Sequence, residues 1–261
     1  MRLLATVMAL AVSLPAVAHA QAERMSDKDV KALMETIHDR RDRFEDALDG
    51  EFKHSVLRGP SGEVDVEHFL DDFQDNILTM RDRYRSDYAA SQEVTTVLRQ
   101  GSAIERHMRQ QGAGMKGASE WDATAADLKR LAEAYSTTFP LPEGATARRL
   151  GDKEVAAAAE MISSQAGQLK TDIEHGATTL PEADRAEATS MAHVADALSK
   201  DAKELKKRVS DGKPSSAQAR AVIDATNKLD RYLAGKSLGA ANSTMGEIKG
   251  SLSKISQGFG M

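Results

Sequence analysis

Histidine and carboxylate side chains one helical turn apart are the residues of this sequence that could bind a metal. Glu35 and His38 form a Glu-x-x-His pattern, which a carboxylate-bridged di-iron bundle needs on two of its helices. Among the predicted helices, only the first carries this pattern. His68 and Asp72 lie one turn apart on a second acidic segment, but two ligands are too few to define a metal site. We therefore interpret all four residues as surface side chains and predict no metal.

A haem site is the other cofactor that a helical bundle could hold. The segments METIHD and ERHM resemble parts of the soluble b-type cytochromes, four-helix bundles in which a Met of the first helix and a His of the last bind haem iron. The resemblance implies Met34 and His107 as the two ligands. It covers little of the chain, and His107 falls on the third predicted helix. Covalent haem needs a Cys-x-x-Cys-His motif, and the sequence has no cysteine. We predict no cofactor, with a ligand-, haem- or metal-binding bundle as the alternative.

Two glycine motifs suggest phosphate binding. Residues 112–117 fit G-x-G-x-x-G, but they follow a predicted helix and lack the strand that this motif requires. Gly235-Lys236-Ser237 resembles the end of a phosphate-binding loop, yet Asp230 stands where the opening glycine belongs. The sequence also contains no G-x-S-x-G or H-E-x-x-H motif. We therefore predict that the protein is not an enzyme.

The N-terminus has the pattern of a secretory signal peptide. Residues 1–20 combine Arg2, a twelve-residue apolar run and a terminal Ala-His-Ala. A helix needs about 20 consecutive apolar residues to span a bilayer, and no later segment of the sequence approaches this length. This pattern predicts a periplasmic or secreted protein that begins near Gln21 and is not inserted in the membrane.

Composition favours helices and argues against a nucleic-acid partner. Aromatic residues are 4% of the chain, only 6 prolines are present, and the net charge is −5. Nucleic acids and anionic membranes need clustered Lys and Arg, which an acidic chain of this kind lacks. The sequence does not specify an oligomeric state.

Apolar residues recur at helical spacing in two groups, which predicts an all-α fold of two four-helix bundles. The bundles comprise residues 21–138 and 150–261, joined by a proline-containing linker at 139–149. Residues 51–62 are interpreted as a long loop or a small hairpin, and Ser102 could restart the third helix. The predicted helices are 26–49, 63–86, 91–110, 119–136, 152–174, 181–210, 215–234 and 241–257.

The apolar positions of the two groups can be aligned with each other at a nearly constant offset. Residues 27–37 and 152–162 share Asp, Lys, Val, Ala, Glu and Ile at an offset of 125. The same offset aligns the apolar positions of the next two helices, and 124 aligns the last. An internal duplication explains this register, and the alternative is that amphipathic helices resemble one another. Aromatic core positions of the first copy become Val, Leu or Ala in the second, and the glycine-containing last helix is expected to fray.

Three segments resemble uncharacterised exported helical proteins of Gram-negative bacteria, a resemblance that covers most of residues 25–150 and implies no activity. These segments are RGPSGEVDVEHFLDD, DYAASQEVTTVLRQGS and GASEWDATAADLKRLAEAY. We predict a non-enzymatic protein that acts by interaction or scaffolding, with another envelope protein as its partner. If the protein has an interaction surface, we expect it at segments 51–65 and 111–118, since loops on a rigid scaffold are where binding usually occurs; the alternative is that both are only connectors.

Overall fold

The computed structural model describes residues 23–59, 62–111, 115–236 and 238–261. The predicted signal peptide lies outside these residues. Among these described residues, the first half contains four long helices, one short helix and a hairpin, and the second half contains four helices. The elements are α1 (Asp27–Ala47), α2 (Gly50–Lys53), β1 (Val56–Gly59), β2 (Gly62–Asp65), α3 (Val66–Arg83), α4 (Ser91–Gln111), α5 (Ala118–Ala134), α6 (Asp152–Ala177), α7 (Glu182–Ser210), α8 (Ser216–Ala234) and α9 (Ala240–Phe259).

Helix α1 begins where its capping residue predicts. The Ser26 hydroxyl accepts the Asp29 N–H at 3.2 Å and donates to the Asp29 carboxylate at 2.7 Å. The helix ends at Ala47, followed by Leu48 in an extended conformation. One apolar face is buried, which places α1 against the core rather than in solvent.

The segment that follows α1 is more ordered than a long loop. The one-turn helix α2 leads into an antiparallel hairpin in which Val56 pairs with Asp65 and Gly59 pairs with Gly62. The Val66 N–H donates to the Ser55 carbonyl at 2.9 Å, which links the hairpin base to the first turn of α3. The hairpin reading of the sequence is therefore confirmed.

Four helices of the first half surround one core. Helices α3 and α5 each pack against both α1 and α4. Helix α4 is continuous through Gly101, so the expectation of a restart at Ser102 is wrong. A Cβ at Gly101 would lie 2.7 Å from Leu128 Cδ1 and 3.2 Å from Phe139 Cε2. Gly101 therefore allows α4 to approach α5 closely, and the Ser102 hydroxyl instead donates to the Leu98 carbonyl.

The segment 139–149 is a strap on the first bundle rather than a free linker. Phe139 and Leu141 pack against the first core, and Ala147 is buried in it. The Leu141 N–H donates to the Ser102 hydroxyl at 2.7 Å, and the Ala147 N–H donates to the Thr95 hydroxyl at 2.9 Å. These bonds fix the path of the strap along α4.

The second half forms a separate core. Helices α7 and α9 each pack against α6 and α8, in the same arrangement as the first bundle. Many of its buried positions are alanines on α6 and α7, so its side chains fill less volume. The last helix is formed through Phe259, which corrects the expected fraying. No helix of the described ranges is both long enough and apolar enough to cross a membrane.

Candidate functional site

The two residues proposed as haem ligands lie at different heights in the first bundle. The N-termini of α1 and α4 lie at the same end, because Arg149 binds both Asp27 on α1 and Ser91 on α4. Met34 is seven residues into α1 and His107 is sixteen residues into α4, which separates their levels by about 14 Å at the helical rise. Met34 is fully buried, whereas His107 is half-buried, and burial lowers the pKa of this histidine. The structure does not bring the two together at one iron.

The four candidate metal ligands named in the sequence analysis do not form one cluster in the described ranges. Glu35 accepts a hydrogen bond from Arg81 at 3.3 Å, and the His38 Nδ1 atom lies 3.6 Å from the Asp39 carboxylate and 3.8 Å from that of Asp42. His68 and Asp72 are 4.0 Å apart, and both are largely exposed. Within the described ranges, no group of three or more potential ligands is close enough to hold a metal ion.

The described residues of the two glycine motifs make contacts that explain them structurally, without a phosphate. Gly117 has φ +84°, and a Cβ there would lie 3.1 Å from Leu48 Cδ2, so only glycine fits at the start of α5. The Lys236 ammonium lies 2.7 Å from the Glu187 carboxylate and 3.4 Å from that of Asp184. Those two carboxylates would repel a phosphate. Residues 112–114 and Ser237 lie outside the described residues.

The described parts of the two predicted binding loops lie at the same end of the first bundle. Gly117 is in contact range of Leu48 just after α1, and the hairpin connects the same end of α1 to the start of α3. We call this region the distal surface and define it as the described parts of 51–65 and 111–118. Val56 on the hairpin is 45% exposed, which is unusual for a large apolar side chain in this protein. The distal surface thus combines an apolar side chain with a hairpin that the four-helix fold does not need.

Aromatic packing beneath the distal surface makes it a rigid platform. The rings of Phe44 and Trp121 are 5.1 Å apart, and both are fully buried. The Trp121 indole N–H donates to the Glu105 carboxylate at 2.6 Å, and Arg109 donates to the same carboxylate at 2.6 Å. This network joins α1, α4 and α5 directly below the loops.

The opposite end of the first bundle is joined to the second bundle by two aspartates. The Asp27 N–H donates to the Asp152 carboxylate at 2.8 Å, and the Asp152 N–H donates to the Asp27 carboxylate at 2.8 Å. Each residue is the first of its helix, α1 or α6. Each carboxylate therefore caps the positive N-terminus of the other helix.

Arg24 crosses this junction from the first half to the second. Its guanidinium pairs with Asp152 and donates to the carbonyls of Leu150 at 2.7 Å and Gly258 at 3.0 Å, and its own N–H donates to the Ser216 hydroxyl at 3.4 Å. The Arg24 side chain is 6% exposed. Burial, reinforced by the nearby Arg149 charge, lowers the pKa of Arg24, while the Asp152 carboxylate opposes that shift.

Arg149 makes the matching contacts on the first bundle. It donates to the Asp27 carboxylate at 3.0 Å and to the carbonyls of Met25 at 2.6 Å and Ala134 at 3.3 Å. Its backbone N–H donates to the Ser91 hydroxyl at 3.3 Å. The side chain is 2% exposed, so these bonds are shielded from water. Arg24 therefore binds the first residue of α6, and Arg149 binds the first residue of α1.

Tyr84 completes the junction with a neutral hydrogen bond. Burial raises the pKa of Tyr84 far above its ordinary value, so its hydroxyl remains protonated and donates to Asp27 at 2.9 Å. The Asp27 carboxylate then has donors on both oxygens, from Tyr84, Arg149 and Asp152. Donors and acceptors from both halves thus bind one another at the junction, which connects the two bundles.

Sequence reasoning missed the junction, although its signal is present. RMSD at 24–27 and RLGD at 149–152 share an arginine three residues before an aspartate, at the offset of 125 found for the first helices. The repeated pattern could have identified both pairs. Comparisons of the chain with protein families, curated proteins and solved structures find no match.

Proposed function

We propose that this chain is an exported, non-enzymatic protein that binds another protein of the cell envelope through its distal surface. The observation that carries the proposal is the placement of both predicted loops at one end of the first bundle, on a platform of packed aromatic side chains. The equivalent end of the second bundle has only the short connections 178–181 and 235–239. The hairpin is thus an addition to the helical scaffold rather than a requirement of it.

We further propose that the two bundles are copies of one unit. Arg24 and Arg149, Asp27 and Asp152, and Ser91 and Ser216 are each 125 residues apart and make reciprocal contacts. Buried apolar positions also pair at this offset, which chance amphipathicity would not require. These pairs are Val30 with Val155, Ile37 with Ile162, Phe44 with Leu169, Phe73 with Leu198, Ile77 with Ala202 and Val97 with Val222.

The last helix supports the same proposal through its change of offset. Arg149 donates to the carbonyl of Ala134 near the end of α5, and Arg24 donates to the carbonyl of Gly258 near the end of α9. These two carbonyls are 124 residues apart, the offset predicted for the last helix of each unit. A residue lost from one copy between its third and fourth helices accounts for the change.

Site-specific crosslinking tests the proposed binding surface. A photoreactive residue is introduced at Val56 in the full chain, and a matched control carries it at Met161 on α6, where the side chain is 50% exposed. We expect a defined crosslinked adduct in the cell envelope from position 56 and none from position 161. Equal adducts from both positions, or none from either, would contradict the proposal.

A shortened hairpin gives an independent result. Replacing residues 52–61 with a short Gly-Ser turn should leave helicity and thermal stability almost unchanged, because the side chains of this segment whose burial the structure describes lie outside the buried core. The same variant should no longer retain the protein crosslinked at Val56 when the two are purified together. Retained binding would place the interaction elsewhere on the chain.

A further inference from the structure

The central contacts of the junction are made twice, once in each direction. The N–H groups of Asp27 and Asp152 each donate to the carboxylate of the other residue at 2.8 Å. Arg24, which precedes the first bundle, pairs with Asp152, and Arg149, which precedes the second bundle, pairs with Asp27. Each bundle therefore contributes an arginine and an aspartate, and each receives the same two groups from the other bundle.

Three further pairs of hydrogen bonds follow this pattern, and the two bonds of each pair have similar lengths. They are Arg24 to the Leu150 carbonyl at 2.7 Å with Arg149 to the Met25 carbonyl at 2.6 Å, Arg24 to the Gly258 carbonyl at 3.0 Å with Arg149 to the Ala134 carbonyl at 3.3 Å, and the Arg24 N–H to the Ser216 hydroxyl at 3.4 Å with the Arg149 N–H to the Ser91 hydroxyl at 3.3 Å. An interface in which residue i binds residue j and the equivalent of j binds the equivalent of i is isologous, the type that joins two identical subunits about a two-fold axis. The junction thus has the contact pattern of a homodimer interface within one chain.

We infer that the junction surface of the first bundle is self-complementary and can bind the first bundle of a second copy of this chain. In such a pair, Arg24 of each copy binds Asp27 of the other, and the Arg24 N–H donates to the Ser91 hydroxyl of the other copy. The second bundle pairs with its own kind in the same way, through Arg149 and Asp152. The inference rests on the proposed duplication, and it is independent of the distal surface at the opposite end of the bundle.

The covalent connection between the bundles competes with this pairing. Residues 149–151 lie on the first bundle where residues 24–26 of a second copy would lie, because Arg149 makes the contacts that Arg24 of that copy would make. A tethered partner has a high effective concentration, so the chain's own second bundle is bound in preference to another molecule. The unaltered chain is therefore a monomer at this surface, and a second copy binds when residues 149–151 are released.

Ser26 is the position at which a pair of first bundles fits less well than the junction. It corresponds to Gly151, where a Cβ would lie 3.3 Å from an Asp27 carboxylate oxygen and 3.4 Å from the Ser86 carbonyl oxygen. In a pair of first bundles, the Ser26 Cβ of one copy meets these atoms of the other, which must move slightly. Ser26→Gly should therefore favour the pair, while the loss of the α1 cap costs only a few tenths of a kcal/mol.

Sedimentation equilibrium of full-length variants tests the inference. Arg149→Ala/Asp152→Ala removes the second junction surface and leaves the first one intact. We expect this variant to reach twice the monomer mass as its concentration rises and to dissociate on dilution, and addition of Ser26→Gly should increase the dimer fraction. The matched control also carries Arg24→Ala and Asp27→Ala, so that neither surface remains, and it should stay monomeric.

Two results would overturn the inference. One is a folded Arg149→Ala/Asp152→Ala variant that remains monomeric at every concentration, and the other is a control variant that dimerises equally, since association would then come from another surface. Circular dichroism checks folding. If the alanine variant loses helicity, Arg149→Gln/Asp152→Asn retains the shape of both side chains and carries the same expectation.

A complementary variant separates failure of self-pairing from failure of the duplication. Glu23→Ala/Arg24→Ala/Asp27→Ala keeps only the second junction surface, so mixing it with Arg149→Ala/Asp152→Ala should restore the observed contacts between two chains. If the variants associate only in the mixture, the two surfaces are complementary but not equivalent, which contradicts both self-pairing and the duplication. If they associate neither alone nor in the mixture, self-pairing is wrong and the duplication stands.

Discussion

Loss of either arginine at the junction should uncouple the two bundles. Arg149→Gln removes the ion pair with Asp27 and the bonds to the Met25 and Ala134 carbonyls, all in a site where the side chain is 2% exposed. Arg24→Gln removes the equivalent contacts with Asp152, Leu150 and Gly258.

The expected cost follows from what each variant leaves buried. Breaking a buried ion pair from one side typically costs about 3–5 kcal/mol, because the remaining charge loses its partner. Asp27 keeps the donors Tyr84 and Asp152, so the lower value of about 3 kcal/mol applies to Arg149→Gln. For a protein of this size that loss corresponds to a decrease in Tm of roughly 6–12 °C. The exposed pair of Lys200 with Asp196 provides a control, and Lys200→Gln should leave Tm unchanged.

The assay uses the fact that the protein has a single tryptophan. Trp121 is buried in the first bundle, so its fluorescence reports only that bundle, whereas far-ultraviolet circular dichroism reports both. In urea, the two signals of the unaltered protein should coincide, as expected for bundles coupled through a buried junction. In Arg24→Gln the circular dichroism signal should begin to change first, since the second bundle has the smaller core.

Two results would refute this reasoning. If both arginine variants have the stability of the unaltered protein, the junction contributes nothing and the bundles associate through other contacts. If both variants are destabilised but their two signals still coincide, the arginines stabilise the bundles individually and do not couple them. A double-mutant cycle with Asp27→Asn then measures the energy of the Asp27–Arg149 pair directly.

Three further predictions concern the cores, the tyrosines and bound groups. Phe73→Ala should cost about 3–5 kcal/mol and Leu198→Ala about 2–4 kcal/mol in urea unfolding, because both side chains are fully buried; equal small losses would contradict the assigned cores. Burial raises the pKa of Tyr84 and Tyr135 well above that of an unfolded tyrosine, near 10. Stability from these residues is complete below about pH 10 and is lost as pH rises further, so tyrosinate absorbance at 295 nm should increase together with unfolding. Purified protein should show no haem absorbance, and dialysis against EDTA should leave Tm unchanged; stoichiometric iron or haem would favour a cofactor-binding bundle.

The helices were predictable because their signals are local. Apolar residues at helical spacing and capping residues such as Ser26 place α1, α3, α4 and α5 within about three residues of their observed ends. The junction was not predictable from local signals, since Arg24 and Asp152 meet only when the two halves pack. The strap was missed for the same reason: two prolines indicate where a helix ends, but not that Ala147 is buried against α4.

The hairpin could not be predicted by aligning the two halves of the sequence, because the aligned segments have different secondary structure. Residues 48–65 and 173–190 have the same length and correspond at the offset of 125, yet the first segment contains α2 and the hairpin, whereas the second completes α6 and begins α7. Gly50, Gly59 and Gly62 interrupt the helix in the first segment. The second has a single glycine, Gly176, before Pro181. A few helix-breaking residues thus determine whether a segment of this length forms a hairpin or extends two helices.

The differences between the proposed copies are arranged by position along the bundles. At the junction both copies retain the arginine, the aspartate and the serine that bind one another, because each half must fit the other there. Beside that shared contact the aligned residues differ, since Arg148 stands at the position that corresponds to Glu23, whose carboxylate binds the first N–H groups of α8. At the other end of the first bundle, α2 and the hairpin occupy the positions that align with the end of α6 and the start of α7. If the proposed duplication holds, the shared residues maintain assembly of the two bundles, and the hairpin gives the first bundle its distal surface.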